Sequence, residues 1–309
     1  MFVAIALLSI VPACKGAAPT QTESGGPPVE SGPIKAVGTI GMVTDVVRIV
    51  GGEHVRAAGL MGPGTDPHLY KASESDIRLL SGADIVFYNG LHLEGKLGDI
   101  LVSLARKKPV IPVTGKIDPA KLREPPEFQG NYDPHVWFDV SMWASAAAAI
   151  RDGLAEVVPA HKADFEKNAA AYVEELRALH QWVGEQIRTI PPERRVLITA
   201  HDAFGYFGRA YGLEVRGIQG ISTESEAGVK EINALVDLIS SRGVKAVFVE
   251  SSVPRKNVEA LVEGARSRGA EVTVGGELFS DAMGAEGSPE GTYVGMVRHN
   301  VNTIVTALK

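Results

Sequence analysis

The stretch of sequence that decides the fold lies near the middle of the chain, where residues 160–189 read AHKADFEKNAAAYVEELRALHQWVGEQIRT. Large apolar residues recur there every three or four positions, and no proline interrupts the pattern before Pro191. This periodicity indicates one amphipathic helix. At 1.5 Å per residue the helix is roughly 45 Å long, which is more than one domain needs. Its apolar positions are Phe165, Ala169, Tyr172, Leu176, Leu179, Val183 and Ile187.

A helix of this length is expected to join two domains. The sequence thus predicts an N-terminal lobe over 35–158, a connecting helix over 159–190 and a C-terminal lobe over 191–309; the alternative is a surface helix of one large domain. On both sides short β-branched runs alternate with helical patterns, which is typical of βα units around parallel sheets. The predicted fold class is α/β, with two (β/α) lobes joined by one long rigid helix. Candidate strands are 37–42, 55–60, 84–88, 109–113, 196–200, 214–218, 245–250 and 271–275.

Three polar signals indicate where helices begin. The run from Ser73 to Asp76 is a polar opening to a short helix that ends at Gly82. Thr223 and Glu226 have the spacing of a capping box ahead of a helix over 227–241. Asn257 is a candidate N-cap. The residues after it that line one face are Val258, Leu261, Val262 and Ala265.

Composition excludes several classes of protein. The chain has 309 residues, 45% of them hydrophobic and 22% charged, which is enough apolar material for two cores. Its net charge of −6 is spread over both signs without a basic block, so nothing predicts binding to nucleic acid. Because Cys14 is the only cysteine, the chain builds neither an internal disulfide nor a multi-thiolate metal site. Any metal must be held by nitrogen and oxygen.

The N-terminus has the pattern of an exported protein. The apolar run from Phe2 to Pro12 is too short to span a bilayer and suits the core of a signal peptide, assigned to residues 1–13. It ends in Val11-Pro12-Ala13-Cys14, which resembles a bacterial lipobox, so Cys14 is predicted to carry lipid. Residues 14–34, rich in Gly, Pro, Ser and Thr, follow as a flexible tether. The expected location is periplasmic or extracytoplasmic, at a membrane. The alternative is a general secretory signal with a stray thiol.

Seven of the eight histidines fall into two groups according to their surroundings. Four of them are expected to be ordinary solvated or packed residues, namely His54, His161, His180 and His299. Three others are set apart because each follows a probable strand, and ligand sites in open α/β sheets form beyond the carboxyl ends of strands. These three are His68, His135 and His201.

Two of the three histidines close the same triplet, Asp-Pro-His, at Asp66 to His68 and at Asp133 to His135. Proline fixes its own φ and restricts the residue before it, so the backbone of the triplet is rigid and holds the histidine side chain in a defined direction. Each aspartate either accepts the ring proton of a nearby histidine, which leaves the other nitrogen free for a metal, or forms a turn or cap. The sequence leaves both readings open.

The remaining candidates lie in the second half of the chain. His201 closes the strand 196–200, and Asp281 lies just past another strand. Three imidazoles and one carboxylate form a donor set suited to Zn(II) or Mn(II). Because two of these residues fall in each predicted lobe, a metal held by all four would sit in the interlobe cleft. Glu250, at another strand end, either orients His201 or is a structural carboxylate.

These motifs together resemble the cluster A-I substrate-binding proteins of ABC transporters for zinc and manganese. The resemblance runs from Val37 to Lys309. The stretches that carry it are Pro63-Gly64-Thr65-Asp66-Pro67-His68 with Tyr70, Asp133 to Asp139, Thr199 to Phe207, Gly217 to Thr223, Gly275 to Gly284, and Gly291-Thr292-Tyr293.

The resemblance implies a monomeric receptor that is not an enzyme. It implies that His68, His135, His201 and Asp281 bind one divalent metal ion as cargo, for an ABC permease and its ATPase. Manganese-directed relatives often carry glutamate at the position of His201, whereas zinc-directed relatives tend to have histidine. Residues 115–131 contain no histidine, unlike the His-rich loop of many zinc receptors. Zn(II) and Mn(II) both stay open. The functional alternatives are an adhesin-type lipoprotein with a structural metal and a metallohydrolase.

Overall fold

The computed structural model describes residues 32–128 and 130–309. The predicted signal peptide, Cys14 and almost all of the predicted tether lie outside the described residues. Eight strands were found in the described part. They are β1 (Ile34–Gly38), β2 (Val55–Gly59), β3 (Ile85–Tyr88), β4 (Val110–Pro112), β5 (Val196–His201), β6 (Glu214–Gln219), β7 (Ala246–Glu250) and β8 (Thr273–Leu278).

Helices fill the connections between these strands. They are α1 (Gly41–Gly51), α2 (Glu74–Gly82), α3 (Gly98–Ala105), α4 (Val140–Val157), α5 (Lys162–Arg188), α6 (Gly205–Tyr211), α7 (Val229–Arg242), α8 (Lys256–Ser267) and α9 (Tyr293–Leu308). Short 3₁₀ helices add corners at Gly52–His54, Val136–Phe138 and Pro159–His161. None of the helices in the described ranges is long and apolar enough to cross a membrane.

The first four strands form one parallel sheet in the order β2-β1-β3-β4. Strand β1 lies three residues earlier than the sequence predicted, because the apolar run continues into α1 instead of staying extended. Met42, Val43, Val46 and Val47 are all buried on one face of that helix. A Cβ at Gly38 would lie 2.5 Å from Thr44 Oγ1, so glycine is what allows α1 to turn back tightly against the sheet.

The second half of the chain repeats this arrangement. Strands β5 and β6 pair in parallel, β7 and β8 pair in parallel, and β5 lies beside β7. The order β6-β5-β7-β8 therefore matches that of the first sheet. Strand β8 extends to Leu278, three residues beyond the predicted end, with an irregular register opposite Val247 and Phe248. The carboxyl ends of β5, β7 and β8 consequently meet at one edge.

Helix α5 forms as the periodicity predicted, and all seven of its predicted apolar positions are buried. It packs against α4, α1 and α9, so it contacts elements from both halves of the chain. The one glycine within it, Gly184, lies a turn before its end, and the helix continues through that residue to Arg188. Parallel sheets on either side of one long helix confirm the predicted α/β fold class.

Two of the three predicted helix starts are wrong and one is confirmed. Ser73 caps α2 in a reciprocal capping box with Asp76. Helix α7, however, begins at Val229 without a side-chain cap, since the hydroxyl of Thr223 donates to Asp66 Oδ2 at 2.6 Å instead. Asn257 lies inside α8, which begins one residue earlier at Lys256. The spacing of Thr223 predicted a local hydrogen bond at a helix cap, but its hydroxyl forms a tertiary hydrogen bond instead.

Candidate metal centre

The four predicted ligands come together although they lie on four separate segments. His68 lies on the loop after β2, His135 precedes the 3₁₀ helix Val136–Phe138, His201 is the last residue of β5, and Asp281 follows β8. Each is at most 5% exposed. Strand ends therefore present two of the side chains, and stiff loops present the others.

The donor atoms face one another at short distances. Nε2 of His135 lies 3.3 Å from Nε2 of His68 and 3.4 Å from Nε2 of His201. The Asp281 oxygens lie 3.2 Å from His201 Nε2, 3.4 Å from His135 Nε2 and 3.7 Å from His68 Nε2. Four ligands at 2.0–2.1 Å from one ion in a tetrahedron would be about 3.4 Å apart. The spacing therefore suits a metal ion at the centre of the cluster.

A carboxylate stands behind two of the three rings. Asp133 Oδ1 lies 2.7 Å from His135 Nδ1, and Glu250 Oε2 lies 2.5 Å from His201 Nδ1. Each carboxylate also accepts the backbone N–H of the same histidine, at 3.0 Å and 2.8 Å. Such a partner accepts a hydrogen bond from Nδ1–H, fixes the ring and leaves Nε2 free to bind metal. Of the two readings left open for Glu250, its contacts match the one that orients His201.

The two Asp-Pro-His triplets differ in what the aspartate does. Asp133 accepts from the ring of His135, as one reading of the sequence held. Asp66 instead accepts from the backbone N–H of His68 at 2.8 Å and from the hydroxyl of Thr223. It forms a turn, as the other reading held, and ties the loop of His68 to the loop after β6.

The carboxylates outweigh burial for two of the imidazoles. Burial lowers the pKa of His68 to about 3. For His135 burial also opposes the charged ring, but hydrogen bonds to neighbouring carboxylates raise its pKa to about 9. Against the same effect of burial, Glu250 and Asp281 hold the pKa of His201 well above its usual value. Without metal, the neighbouring carboxylates therefore favour the protonated form of both His135 and His201.

Asp281 is a buried carboxylate whose hydrogen bonding is incomplete. Burial would raise its pKa, but the neighbouring His201 and His135 hold that pKa well below the usual range, so the carboxylate stays ionised. Both of its oxygens are buried and make no hydrogen bond of ordinary geometry. A buried anion with free lone pairs is costly unless it is paired or binds a cation. A metal ion among the three Nε2 atoms would supply that partner.

Several residues that the sequence analysis did not assign hold these loops in place. Trp137 Nε1–H donates to the Ser280 carbonyl at 3.1 Å, and Tyr293 O–H donates to the Trp137 carbonyl at 2.6 Å. Tyr206 O–H donates to the Asp133 carbonyl at 2.9 Å. These bonds join the His135 loop to the second half of the chain. The aromatic residues lay within the quoted motifs, but only the structure shows their partners.

Comparison with known proteins gives the same picture. The profile of the ZnuA family, described as zinc-uptake complex component A, periplasmic, matches residues 37–307. The manganese-binding lipoprotein MntA of Bacillus subtilis is 46% identical over 277 residues, covering 89% of this chain and 90% of MntA. The zinc-binding protein TroA of Treponema pallidum is 48% identical over 272 residues, 88% of each chain.

A solved structure agrees with these sequence matches. The periplasmic zinc-binding protein TroA from Treponema pallidum superposes with a TM-score of 0.87 at 47% identity, covering 90% of this chain and 99% of that one. The family match covers nearly all of the described residues, and the identities extend over most of each relative. The chain therefore belongs to the ZnuA family of metal-binding proteins, as the motifs around His68, His135, His201 and Asp281 predicted.

Proposed function

We propose that this protein captures one divalent transition metal ion outside the cytoplasm and delivers it to an ABC permease. The observation that carries the proposal is the buried meeting of three imidazole nitrogens with both oxygens of Asp281, which make no hydrogen bond of ordinary geometry. The ligands proposed are His68, His135, His201 and Asp281. The printed names of the relatives support metal binding of this kind, since MntA is named for manganese and TroA for zinc.

The donor set suits both Zn(II) and Mn(II). Imidazole nitrogen is a good ligand for zinc, and the separations between Nε2 atoms match a four-coordinate ion. Both Asp281 oxygens face the imidazoles, so a bidentate carboxylate would raise the coordination number to five, which a harder ion such as Mn(II) accepts. The cargo proposed is therefore one ion of either metal.

An entry path supports capture and release. A cavity of about 170 Å³ reaches Asp281 from the side of Met61, Pro63 and Met283. It lies between the His68 loop and the Asp281 loop and ends at Asp281, whose oxygens are buried, so a small local opening there would let an ion reach the carboxylate before the imidazoles. A space of this size admits an ion with water but is small for an organic substrate. We accordingly propose that the protein binds and transfers the ion and does not catalyse a reaction. An assay for hydrolysis by the zinc-loaded protein tests this proposal.

The direct test is metal stoichiometry. Metal-free protein is loaded separately with Zn(II) or Mn(II), passed through a desalting column, and its metal content is measured by mass spectrometry. We expect one ion per chain, and close to none for Asp281→Ala treated identically. Wild-type protein that retains no metal, or Asp281→Ala that retains a full equivalent, would overturn the proposal. Cellular Mn, Zn and Fe contents after deletion of the gene then identify the physiological cargo.

We also propose that lipid on Cys14 holds the protein at the membrane beside its permease and ATPase. Relatives in the family carry the word lipoprotein in their names, including MntA. Replacement of Cys14 by serine should release the protein into the soluble extracytoplasmic fraction while its metal binding stays unchanged. Retention of that variant at the membrane after a high-salt wash would contradict the anchor. Sedimentation should show a monomer.

A further inference from the structure

A second group of metal-binding side chains lies on the surface, away from the buried cluster. It consists of His54, His161 and Asp164, and the structure brings one donor atom of each within 4.8 Å of the others. His54 Nε2 lies 3.0 Å from Asp164 Oδ2. The sequence analysis predicted two separate, ordinary histidines here, and it did not consider Asp164. We propose that these three residues form a second, surface site for a divalent transition metal ion.

The donor chemistry supports this assignment. Two imidazoles and one carboxylate are a recurring ligand set for first-row divalent metals, with the remaining positions taken by water. Two ligands at right angles around an ion, with bonds of 2.0–2.1 Å, are about 2.9 Å apart. The contact between His54 and Asp164 has nearly that length, so an ion can replace the hydrogen bond between them without a shift of the backbone.

The elements that carry the three residues are fixed relative to each other. His54 ends the 3₁₀ corner after α1, and Asp164 lies in the first turn of α5. One turn further along α5, Asn168 Nδ2–H donates to the Val50 carbonyl at 3.1 Å, which fastens the end of α1 to α5. Because this contact does not involve the three donors, the site is held together in the absence of metal.

An apolar floor lies beneath the donors. Phe165 is fully buried, and its ring meets those of His54 and His161 edge-on, at centroid distances of 6.0 and 6.4 Å. Apolar side chains commonly surround the polar ligands of a metal site, where they limit the access of water to the ion. The Phe165 ring would do this on one side of the three donors. His54 and His161 are themselves only partly exposed.

One ring must turn for the site to close around an ion. The rings of His54 and His161 are stacked, with centroids 3.8 Å apart and planes 10° from parallel, and two rings stacked face to face cannot both aim a nitrogen at one ion in their planes. Rotation of His161 out of the stack aims one nitrogen at the ion beside His54 and Asp164. His161 precedes the first residue of α5, outside the regular helix, so this rotation leaves the helix intact.

The surface site should bind more weakly than the buried cluster. In the described part of the chain, no carboxylate stands behind the far nitrogen of His54 or His161 in the way that Glu250 stands behind His201. Loss of such a partner typically lowers metal affinity about 10- to 100-fold. We therefore expect the second equivalent of metal to bind at least about tenfold more weakly than the first.

The test is a zinc titration of the complete mature chain without an affinity tag, because a histidine tag would bind zinc itself. Calorimetry of the wild-type protein should show a tight first equivalent and a weaker second one. His54→Ala and Asp164→Asn should each lower the affinity of the second equivalent at least about tenfold and leave the first unchanged. Cu(II), measured by electron paramagnetic resonance on protein already loaded with one zinc, should show nitrogen couplings that His161→Gln reduces.

A matched control lies on the same helix. His180 Nδ1 lies 2.9 Å from the hydroxyl of Tyr211, and no carboxylate joins it in the described residues, so His180→Ala should keep both equivalents. Thermal unfolding of each variant confirms that it is folded. Two results would overturn the proposal: a titration that ends at one equivalent with millimolar zinc, or a second equivalent that survives in His54→Ala and Asp164→Asn. Failure of the buried cluster would instead remove the first equivalent.

Discussion

The buried cluster and the surface group use the same kinds of donor in different surroundings. Both offer imidazole nitrogen and one carboxylate, yet in the buried cluster Asp133 and Glu250 orient the rings, whereas at the surface His54 and His161 stack on each other. The first cluster presents its nitrogens to a common centre, and the second must rearrange. Residue type alone therefore does not make a strong metal site; the groups behind the ligands decide its strength.

The two sites also differ in what they hold together. The buried cluster draws on four segments from both halves of the chain, so an ion within it contacts both predicted lobes. The surface group draws on the corner after α1 and the first turn of α5, which already pack together. A metal ion at the buried cluster would therefore be coupled to the arrangement of the two halves, and one at the surface group would not.

The largest contrast is expected when a carboxylate is removed from each site. Asp281→Ala takes away the only carboxylate among the four proposed ligands. We expect the affinity of the tight equivalent to fall by more than about 100-fold, because removal of a residue that only supports a ligand already lowers metal affinity about 10- to 100-fold. Asp164→Ala should leave that equivalent unchanged. Competition with a chelator of known affinity measures both. Equal losses in the two variants would show that the ligands are wrongly assigned.

A smaller effect is expected when only the support behind a ring is changed. Glu250→Gln keeps the shape of the side chain but removes the charge that faces His201. The affinity of the tight equivalent should therefore fall about 10- to 100-fold, while the buried cluster still takes up one ion. Asp66→Asn is the matched control, because Asp66 contacts a backbone N–H and Thr223 and no ring of the cluster. A loss as large in Asp66→Asn would refute the idea that ring orientation is the cause.

The pH dependence should separate the sites further. A free histidine titrates near pH 6.5, which would place the loss of affinity between about pH 7 and pH 5. In the buried cluster, carboxylates raise the pKa of His135 to about 9 and that of His201 well above its usual value. A proton on either ring must leave before metal binds, so affinity should rise with pH up to about 9, by about tenfold per pH unit for each proton displaced.

The release of protons gives an independent measurement. Calorimetry in buffers of different ionisation enthalpy should detect protons released on zinc binding at pH 7.5, where a histidine of ordinary pKa would already be neutral. Binding at pH 7.5 without proton release would contradict the raised pKa values. In Glu250→Gln the number of protons released should decrease, because the group that stabilises the charged ring of His201 is gone.

Much of the fold was predictable because it follows from periodicity. The long helix was recognised from apolar spacing that no strand produces. The end of β1 was misplaced since Ile40, Met42 and Val43 form a short apolar run, which fits a strand or a buried helix equally well. Thr223 was misassigned because its spacing to Glu226 satisfies a capping box, while its actual partner, Asp66, is distant in sequence.

The two metal groups show the same limit for sites. His68, His135, His201 and Asp281 were selected because they occur in motifs and follow strands, and these are local signals. The role of Asp133 could be stated only as one of two alternatives, since its contact depends on a rotamer. His54 and Asp164 meet because the corner after α1 packs on α5, and neither residue lies in a motif. The spacing of His161 to Asp164, one helical turn, was the only local signal.

The smallest expected effect concerns motion. Glycines lie on both sides of Asp281, but Gly275 lies inside β8, where a Cβ would be 2.8–2.9 Å from three neighbouring carbon atoms. The backbone of Ser280 accepts from Trp137, and Gly284 N–H donates to the Glu290 carbonyl at 2.9 Å. The Asp281 loop is therefore fastened on both sides, and these glycines serve close packing.

The loop at residues 220–228 is a better candidate for movement on metal release. It contains neither helix nor strand, and its side chains reach the first half of the chain through two contacts, Thr223 to Asp66 and Glu224 to Lys96 at 3.4 Å. Helix α5 is continuous and shares one apolar core with α1 and α9, which opposes a wide hinge between the lobes.

Metal removal should accordingly change the radius of gyration, about 19 Å for a compact chain of this size, by less than about 1 Å. Hydrogen exchange should increase more at 220–228 than at 279–284, because the first segment has fewer bonds to lose before it opens. Zinc bound only at the surface group, as in Asp281→Ala, should protect neither segment. A large change in solution scattering, or exchange that increases first at 279–284, would show that the lobes move as hinged bodies and that the Asp281 loop is the gate.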